Sequence, residues 1–333
     1  MPRFVFLYTD AVIWVIVLTI ALYARHAACS PELAARWKKL AGNKTALFCA
    51  GLLSVFFAVA LANSVHFRPR LDVGPTGVVA YAPKTVSVLD YFVGEHIAGT
   101  ERSYSAPFSL FDFDKTSALV DQKPVRRFAR LKGASPDVSP EEKGTALATD
   151  FGCGAAVGLG FSVLLLSALA VLRRKKTESL FQSIRRLTGS QNPLNPILWV
   201  WTGAFFVAGL LWGLWPSWHI FGTDAVGNDV LFSAVKSVRT GVVIGSLATA
   251  CMLPPAIIFG ISAGYFKGRV DDVIQYIYTT ITSIPSVLLI AASVLMIQVF
   301  IDTNPSLYQT GLERADLRLF SLSAIIGVTS WAG

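Results

Sequence analysis

Charge is what this 333-residue chain has least of. Asp, Glu, Lys and Arg make up 15% of it, where soluble domains carry about 25%. With 53% hydrophobic residues and a mean hydropathy of +0.55, a water-soluble enzyme of this size could not hide its apolar surface. A multi-pass membrane protein is expected instead. Cysteine is scarce too. Cys29, Cys49, Cys153 and Cys251 lie far apart with no CxxC pair, so neither a disulfide framework nor a zinc site is signalled. His26, His66, His96 and His219 are scattered, which argues against a metal cluster. No GxxxxGK[ST] nucleotide loop occurs.

What the chain does have is long apolar runs. A bilayer-spanning helix needs about 20 apolar residues. Seven stretches qualify: 4–23, 46–63, 151–172, 194–216, 241–263, 274–299 and 319–333. Only the first contains a charge, Asp10, near one end. One basic residue, Arg3, precedes that run and the heavy basic charge follows it, so a signal anchor with its N-terminus outside fits better than a cleaved signal. The expected fold class is therefore an all-α membrane protein with about seven transmembrane helices.

The formal net charge is +8, and its placement gives an orientation. Alternation puts 24–45, 173–193 and 264–273 in the cytoplasm. These loops hold Arg25, Arg36, Lys38, Lys39, Lys44, Arg173, Arg174, Lys175, Lys176, Arg185, Arg186, Lys267 and Arg269. The loops 217–240 and 300–318 hold only Lys236, Arg239, Arg314 and Arg318. The positive-inside rule supports N-terminus out and the C-terminal end in. The basic balance then marks orientation, and no nucleic-acid partner is expected.

Residues 64–150 form one external insert of mixed or irregular structure. Thr76 to Tyr81 and Thr85 to Tyr91 read as strands. Ala134 to Glu142 reads as loop. Asp112 and Asp114 are spaced like paired carboxylates, but within Phe111-Asp-Phe-Asp-Lys they read as a solvated loop or strand edge. The chain divides into a helical hairpin (1–63), the insert (64–150), a second helical pair with a basic loop (151–216) and a C-terminal core (217–333).

Three stretches carry most of the information. In His219 to Thr240, Thr223 or Asp224 reads as a cap, Gly222 and Gly227 allow tight backbone, and Asp229 is placed to cap a second helix. From Val230 the apolar positions make one face, predicting an amphipathic helix on the membrane surface before the next span. In Ala263-Gly-Tyr-Phe-Lys-Gly-Arg-Val-Asp-Asp, Gly264 and Gly268 read as a cytoplasmic turn beside Tyr265. Asp271 and Asp272 would open the next helix, where its dipole favours carboxylates. In Ser283-Ile-Pro-Ser-Val-Leu-Leu, Pro285 falls inside a membrane helix and predicts a kink.

In this order and spacing, Gly222-Thr-Asp-Ala-Val-Gly-Asn-Asp-Val-Leu, Ala263-Gly-Tyr-Phe-Lys-Gly-Arg-Val-Asp-Asp and Ile284-Pro-Ser-Val-Leu-Leu resemble the permease subunits of dipeptide, oligopeptide and nickel ABC importers. The resemblance is to the second permease of the pair, within it to the oligopeptide and microcin C type, and covers about 219–333. The basic stretch Arg36-Trp-Lys-Lys-Leu-Ala-Gly-Asn-Lys-Thr-Ala-Leu-Phe resembles the pre-helix that opens such subunits. Asn228 stands where the family usually has Arg. The helix at 4–23 and the insert, with its helix near 151–172, are also departures. The family's cytoplasmic coupling loop would come after Trp-Ala-Gly333, so the chain is expected to be a fragment or an interrupted gene.

The resemblance implies a multi-pass protein of the bacterial inner membrane. Its partners would be a second permease, two cytosolic ATPase subunits that bind the ATP, an external solute-binding protein, and membrane lipid. The chain itself would hold no cofactor or metal and would not be an enzyme. Gly222, Thr223, Asp224, Gly227 and Asp229 become the expected contact loop for the binding protein. Ser246, Thr249, Thr279, Thr280, Thr282 and Ser283 are candidate pathway residues, with interhelical hydrogen bonds as the plainer alternative. Two other classes stay open. An ion-coupled carrier would want buried ionisable groups or broken helices in paired halves. A membrane-anchored sensor would bind its ligand through 64–150.

Overall fold

A computed structural model describes residues 3–71, 80–82, 85–93, 100–120, 123–135, 138–173, 179–189, 192–305, 307–308 and 310–331. The apolar runs become helices because hydrocarbon offers no partner for backbone N–H and C=O groups, so each segment has to satisfy its own. In chain order the elements are β1 (Arg3–Val5), α1 (Tyr8–Cys29), α2 (Pro31–Leu40), α3 (Lys44–Ser64), β2 (His66–Arg68), β3 (Arg70–Leu71), β4 (Ala80–Tyr81), β5 (Val86–Ser87) and α4 (Val88–Val93). Then come β6 (Phe111–Val120), β7 (Lys123–Arg130), α5 (Lys143–Leu172), α6 (Leu180–Thr188), α7 (Asn195–Leu214), α8 (Val230–Phe266), α9 (Arg269–Ser283), α10 (Ser286–Thr303) and α11 (Gly311–Ser330).

Among the described residues five helices are long and apolar enough to cross a membrane: α1, α3, α5, α7 and α8. The pair α9 and α10 makes a sixth if taken as one broken span, bent by 79°. Two of the seven expected runs differ from single straight spans among the described residues, for physical reasons. Residues 319–330 belong to α11, whose first half carries Glu313, Arg314, Asp316 and Arg318. Run 274–299 is interrupted at Pro285, which caps α10 instead of sitting inside a helix. Its fixed ring and missing N–H end one helix and start another, so the expected kink is a break.

Two further expectations change. The surface helix and the span after it are one continuous helix, α8, with Pro254 and Pro255 inside it; nothing between Val238 and Val242 stops a helix. Gly264 lies within α8, so the turn is made by Lys267 and Gly268, both at positive φ (51° and 52°). Asp271 and Asp272 do occupy the first turn of α9.

The chain divides into two units. The first comprises Met1–Leu22, Ser64–Ser87 and Val238–Gly333. It contains an antiparallel sheet in the order β1-β2-β5, which sets Val5 opposite His66 and His66 opposite Ser87. The second unit comprises Tyr23–Asn63 and Val88–Ser237, so the boundary cuts through the insert. Of the two strands expected in the insert, residues 72–79 lie outside the described residues, while Ala80–Tyr81 is strand β4. The Thr85 to Tyr91 stretch turns from β5 into α4 at Val88.

In the second unit α5 and α7 pack closely. A Cβ on Gly158 would lie 2.5 Å from the Phe206 carbonyl oxygen, and one on Gly213 would lie 2.5 Å from Gly154 Cα. Small residues let helix backbones approach where lipid tails give no hydrophobic drive for association. The Ser162 hydroxyl donates across this contact to the Thr202 carbonyl (3.0 Å), and Trp201 Nε1 donates to Ser54 Oγ of α3 (2.9 Å). The burial pattern suits a lipid solvent: Val163 and Leu164 are exposed while Ser162 is buried. Above these helices Leu110, Leu131, Ala134, Leu214, Trp218 and Ile220 form one small core. Residues 100–135 of the insert thus share their interior with the loop that follows α7.

Candidate functional site

The loop between α7 and α8 is built around His219. Its ring is 1% exposed, with Nδ1 2.7 Å from Asp229 Oδ2 and Nε2 3.4 Å from Glu101 Oε1. Burial alone would lower the imidazole pKa, but the hydrogen bonds and charges of Asp229 and Glu101 outweigh it and push the value up to about 9. At neutral pH His219 is therefore an imidazolium donating to both carboxylates. Burial acts to raise the Glu101 carboxyl pKa, yet His219 and the backbone N–H groups of Gly133 and Lys132 hold it below the usual range. Gly133 N–H donates to Glu101 Oε1 at 2.8 Å. The other oxygen of Asp229 accepts from Phe232 N–H at 2.7 Å, which caps α8.

The rest of the loop is closed by local chemistry. Thr223 Oγ1 donates to the Ser103 carbonyl at 2.7 Å. Asp224 Oδ1 accepts from Val226 N–H (2.9 Å) and Asn228 N–H (2.8 Å), and Asp224 Oδ2 accepts from Asn228 Nδ2 (3.2 Å). These Asn228 donors hold the Asp224 carboxyl below its ordinary value. Gly222 and Gly227 sit at φ +71° and +85°, with their α-carbons against the Ser105 and Glu101 carbonyls, where no Cβ fits. Of the five residues expected as a contact loop, Gly222, Thr223, Gly227 and Asp229 are buried and only Asp224 is partly open. The outer surface of the loop consists of Phe221 (58% exposed), Ala225 and Val226 (68% exposed). The motif residues shape the loop, and these three present it.

A second constellation lies in the first unit. Asp10 in α1 is 1% exposed. Its Oδ1 accepts from Arg239 Nη2 (2.6 Å), Arg239 Nε (3.2 Å) and Ser64 Oγ (2.8 Å). Its Oδ2 lies 3.0 Å from His66 Nδ1. Asp316 of α11 accepts from the backbone N–H of Thr9 (3.2 Å) and from its hydroxyl, and lies 3.8 Å from Arg239 Nη2. One guanidinium from α8 thus holds two carboxylates from α1 and α11. One hint of this cluster was visible along the chain, the lone Asp10 in its apolar run. Arg239 and Asp316 stand 229 and 307 residues from their partners at Asp10 and Thr9, too far for any spacing pattern to show.

The six candidate pathway hydroxyls all donate to carbonyls of their own helix. Ser246 reaches Val242 (2.6 Å), Thr249 reaches Gly245 (2.7 Å), Thr279 reaches Gln275 (2.8 Å), Thr280 reaches Tyr276 (2.8 Å), Thr282 reaches Tyr278 (2.9 Å) and Ser283 reaches Thr280 (2.7 Å). Among the described residues these bonds join no two helices. Asp112 departs from the expected solvated role: it is 6% exposed and accepts from Ser103 Oγ at 2.9 Å, while Asp114 is exposed. A register shift between Phe111 and Lys115 separates the two environments.

Comparison with known proteins adds to this geometry. The chain is 28% identical over 121 residues to the di/tripeptide transport system permease protein DppC of Pseudomonas aeruginosa, covering 34% of this chain and 37% of that protein. It is 28% identical over 115 residues to the oligopeptide transport system permease protein OppC of Lactococcus lactis, 34% of this chain and 33% of that protein. It is 31% identical over 72 residues to OppC of Bacillus subtilis, 22% and 24% respectively. This chain is similar to the permease subunits of peptide ABC importers. It spans well under half the length of each of these relatives. No family profile and no solved structure matches it.

Proposed function

We propose that this chain is a permease subunit of an ATP-driven importer for peptides or peptide-like solutes. The similarity to DppC and OppC carries the reading, and the span-length helices and the caged loop support it. In this reading the chain lies in the bacterial inner membrane with its N-terminus outside. It pairs with a second permease, takes solute from an external binding protein at the Phe221 to Val226 surface, and is driven by two cytosolic ATPase subunits that hold the ATP. The Lys267–Gly268 turn faces the cytoplasm. The chain performs no covalent chemistry; ATP hydrolysis shifts it between inward- and outward-facing states.

An ion-coupled carrier is the second reading. The buried cluster of Asp10, Arg239 and Asp316 and the broken pair α9 and α10 favour it, since such features mark ion paths in secondary transporters. The sensor reading is disfavoured by the shared core, because residues 64–150 cut out alone would lose Leu214, Trp218 and Ile220.

The test is purification of the tagged chain from its own cells together with uptake of a labelled tripeptide. A co-purifying permease and ATPases, with uptake abolished by ATP depletion and by deletion of the gene, supports the importer. Uptake that survives ATP depletion but collapses with a protonophore would replace it by the carrier.

A further inference from the structure

The first unit contains a pocket of about 210 Å³ that the transport reading does not use. Phe4, Phe6 and Trp14 line it, together with Asp10, Ser64 and His66. The polar groups there are nearly all engaged. Both Asp10 oxygens accept hydrogen bonds from Arg239, Ser64 and His66. His66 is different. It is 7% exposed, its Nδ1 is bound to Asp10, and its Nε2 has no protein partner among the described residues. In the neutral imidazole, Nδ1–H is donated to Asp10 and Nε2 is left as an acceptor.

Three properties therefore meet in one small space. There is an unpartnered acceptor, His66 Nε2. There are three aromatic side chains, whose faces attract cations. Behind them is a cluster with two carboxylates, Asp10 and Asp316, against one guanidinium, Arg239. A neutral alcohol would use the first property alone, and an anion is opposed by the other two. We propose that this pocket binds a primary ammonium group, with an N–H donated to His66 Nε2 and the cation set among Phe4, Phe6 and Trp14. The space suits a primary ammonium carrying a short chain or one small ring. An ethanolamine lipid and a free amine such as a peptide amino terminus share that chemistry.

The test uses the full chain in phosphatidylcholine nanodiscs, titrated with phenethylammonium and with phenethyl alcohol. Saturable binding of the amine alone is expected. His66→Asn keeps an N–H for Asp10 but removes the Nε2 acceptor, and should weaken amine binding about tenfold. Trp14→Leu keeps an apolar wall and removes a ring, and should also weaken it. Added phosphatidylethanolamine that displaces the amine identifies a lipid source, and unchanged amine binding in its presence identifies a free one. No amine binding, equal binding of the alcohol, or unaltered amine affinity in His66→Asn overturns the proposal. Should His66→Asn fail to fold, Trp14→Leu decides in the same way.

Discussion

His219 shows how much one titratable side chain sets for the loop around it. Its folded pKa of about 9 stands above the ordinary 6.5, so its stabilisation is fully present below about pH 6.5 and is lost as pH rises through 9. Glu101 has the opposite sign. Its folded value is lowered from 4.5, so its contribution is present above that pH and is lost as pH falls through the lowered value. The loop core should therefore be most stable between about 4.5 and 6.5. Thermal unfolding of the purified protein should show a falling melting temperature from pH 6.5 to 9.5. In His219→Gln that alkaline fall should vanish, and a fall as steep as the parent's would refute the role given to the imidazolium. At this scale the sequence was partly legible. The Gly-Thr-Asp pattern pointed to a tight, capped loop because caps and positive-φ positions have local residue preferences. Glu101 and Gly133 were not legible, since they reach His219 from a distant part of the chain.

At the scale of elements, the packing of α5 on α7 rests on an absence of side chain. The glycines at 154, 158, 209 and 213 bring the two backbones together, and Ser162 adds a hydrogen bond across the contact. Gly158→Leu should force the helices apart at a cost of about 1–3 kcal/mol or more. Gly160→Leu on the same helix meets nothing within 4 Å and should be close to neutral. Thermal unfolding in one detergent compares them, and equal effects would show that the pair does not depend on close approach. Apolar length predicted these helices well, because the run itself is the signal. It misjudged their ends. The charges in the first half of α11 lie just before run 319–333, and the ring of Pro285 acts over only a few residues of its own run, so neither changed the apolar count. The continuity of α8 was missed for the converse reason: Lys236 and Arg239 marked an amphipathic face, yet a polar face does not stop a helix. Lys236 instead pairs with Asp90 at 2.9 Å, and Arg239 enters the buried cluster.

For the whole molecule, orientation is the property on which the transport reading depends. A single cysteine at Ser179→Cys, in a background where Cys29, Cys49, Cys153 and Cys251 are replaced, should react with a membrane-impermeant maleimide only after cells are permeabilised. Ser179 is exposed at the start of α6. Labelling in intact cells would invert the proposed topology and place the caged loop in the cytoplasm. The sequence could supply such an orientation because positive charge is counted along the chain. It could not show that the chain clusters into units cutting across its linear segments. The buried cluster of Asp10, Arg239 and Asp316 has a consequence for how the protein is made. Asp10 leaves the ribosome 229 residues before the guanidinium that neutralises it, an interval on the order of 10–50 s at usual synthesis rates. Ser64 and His66 follow 54 and 56 residues behind Asp10, within about 3–11 s at the same rates. During biogenesis these two are the first side-chain partners available to the carboxylate of α1, and its cationic partner comes only with α8.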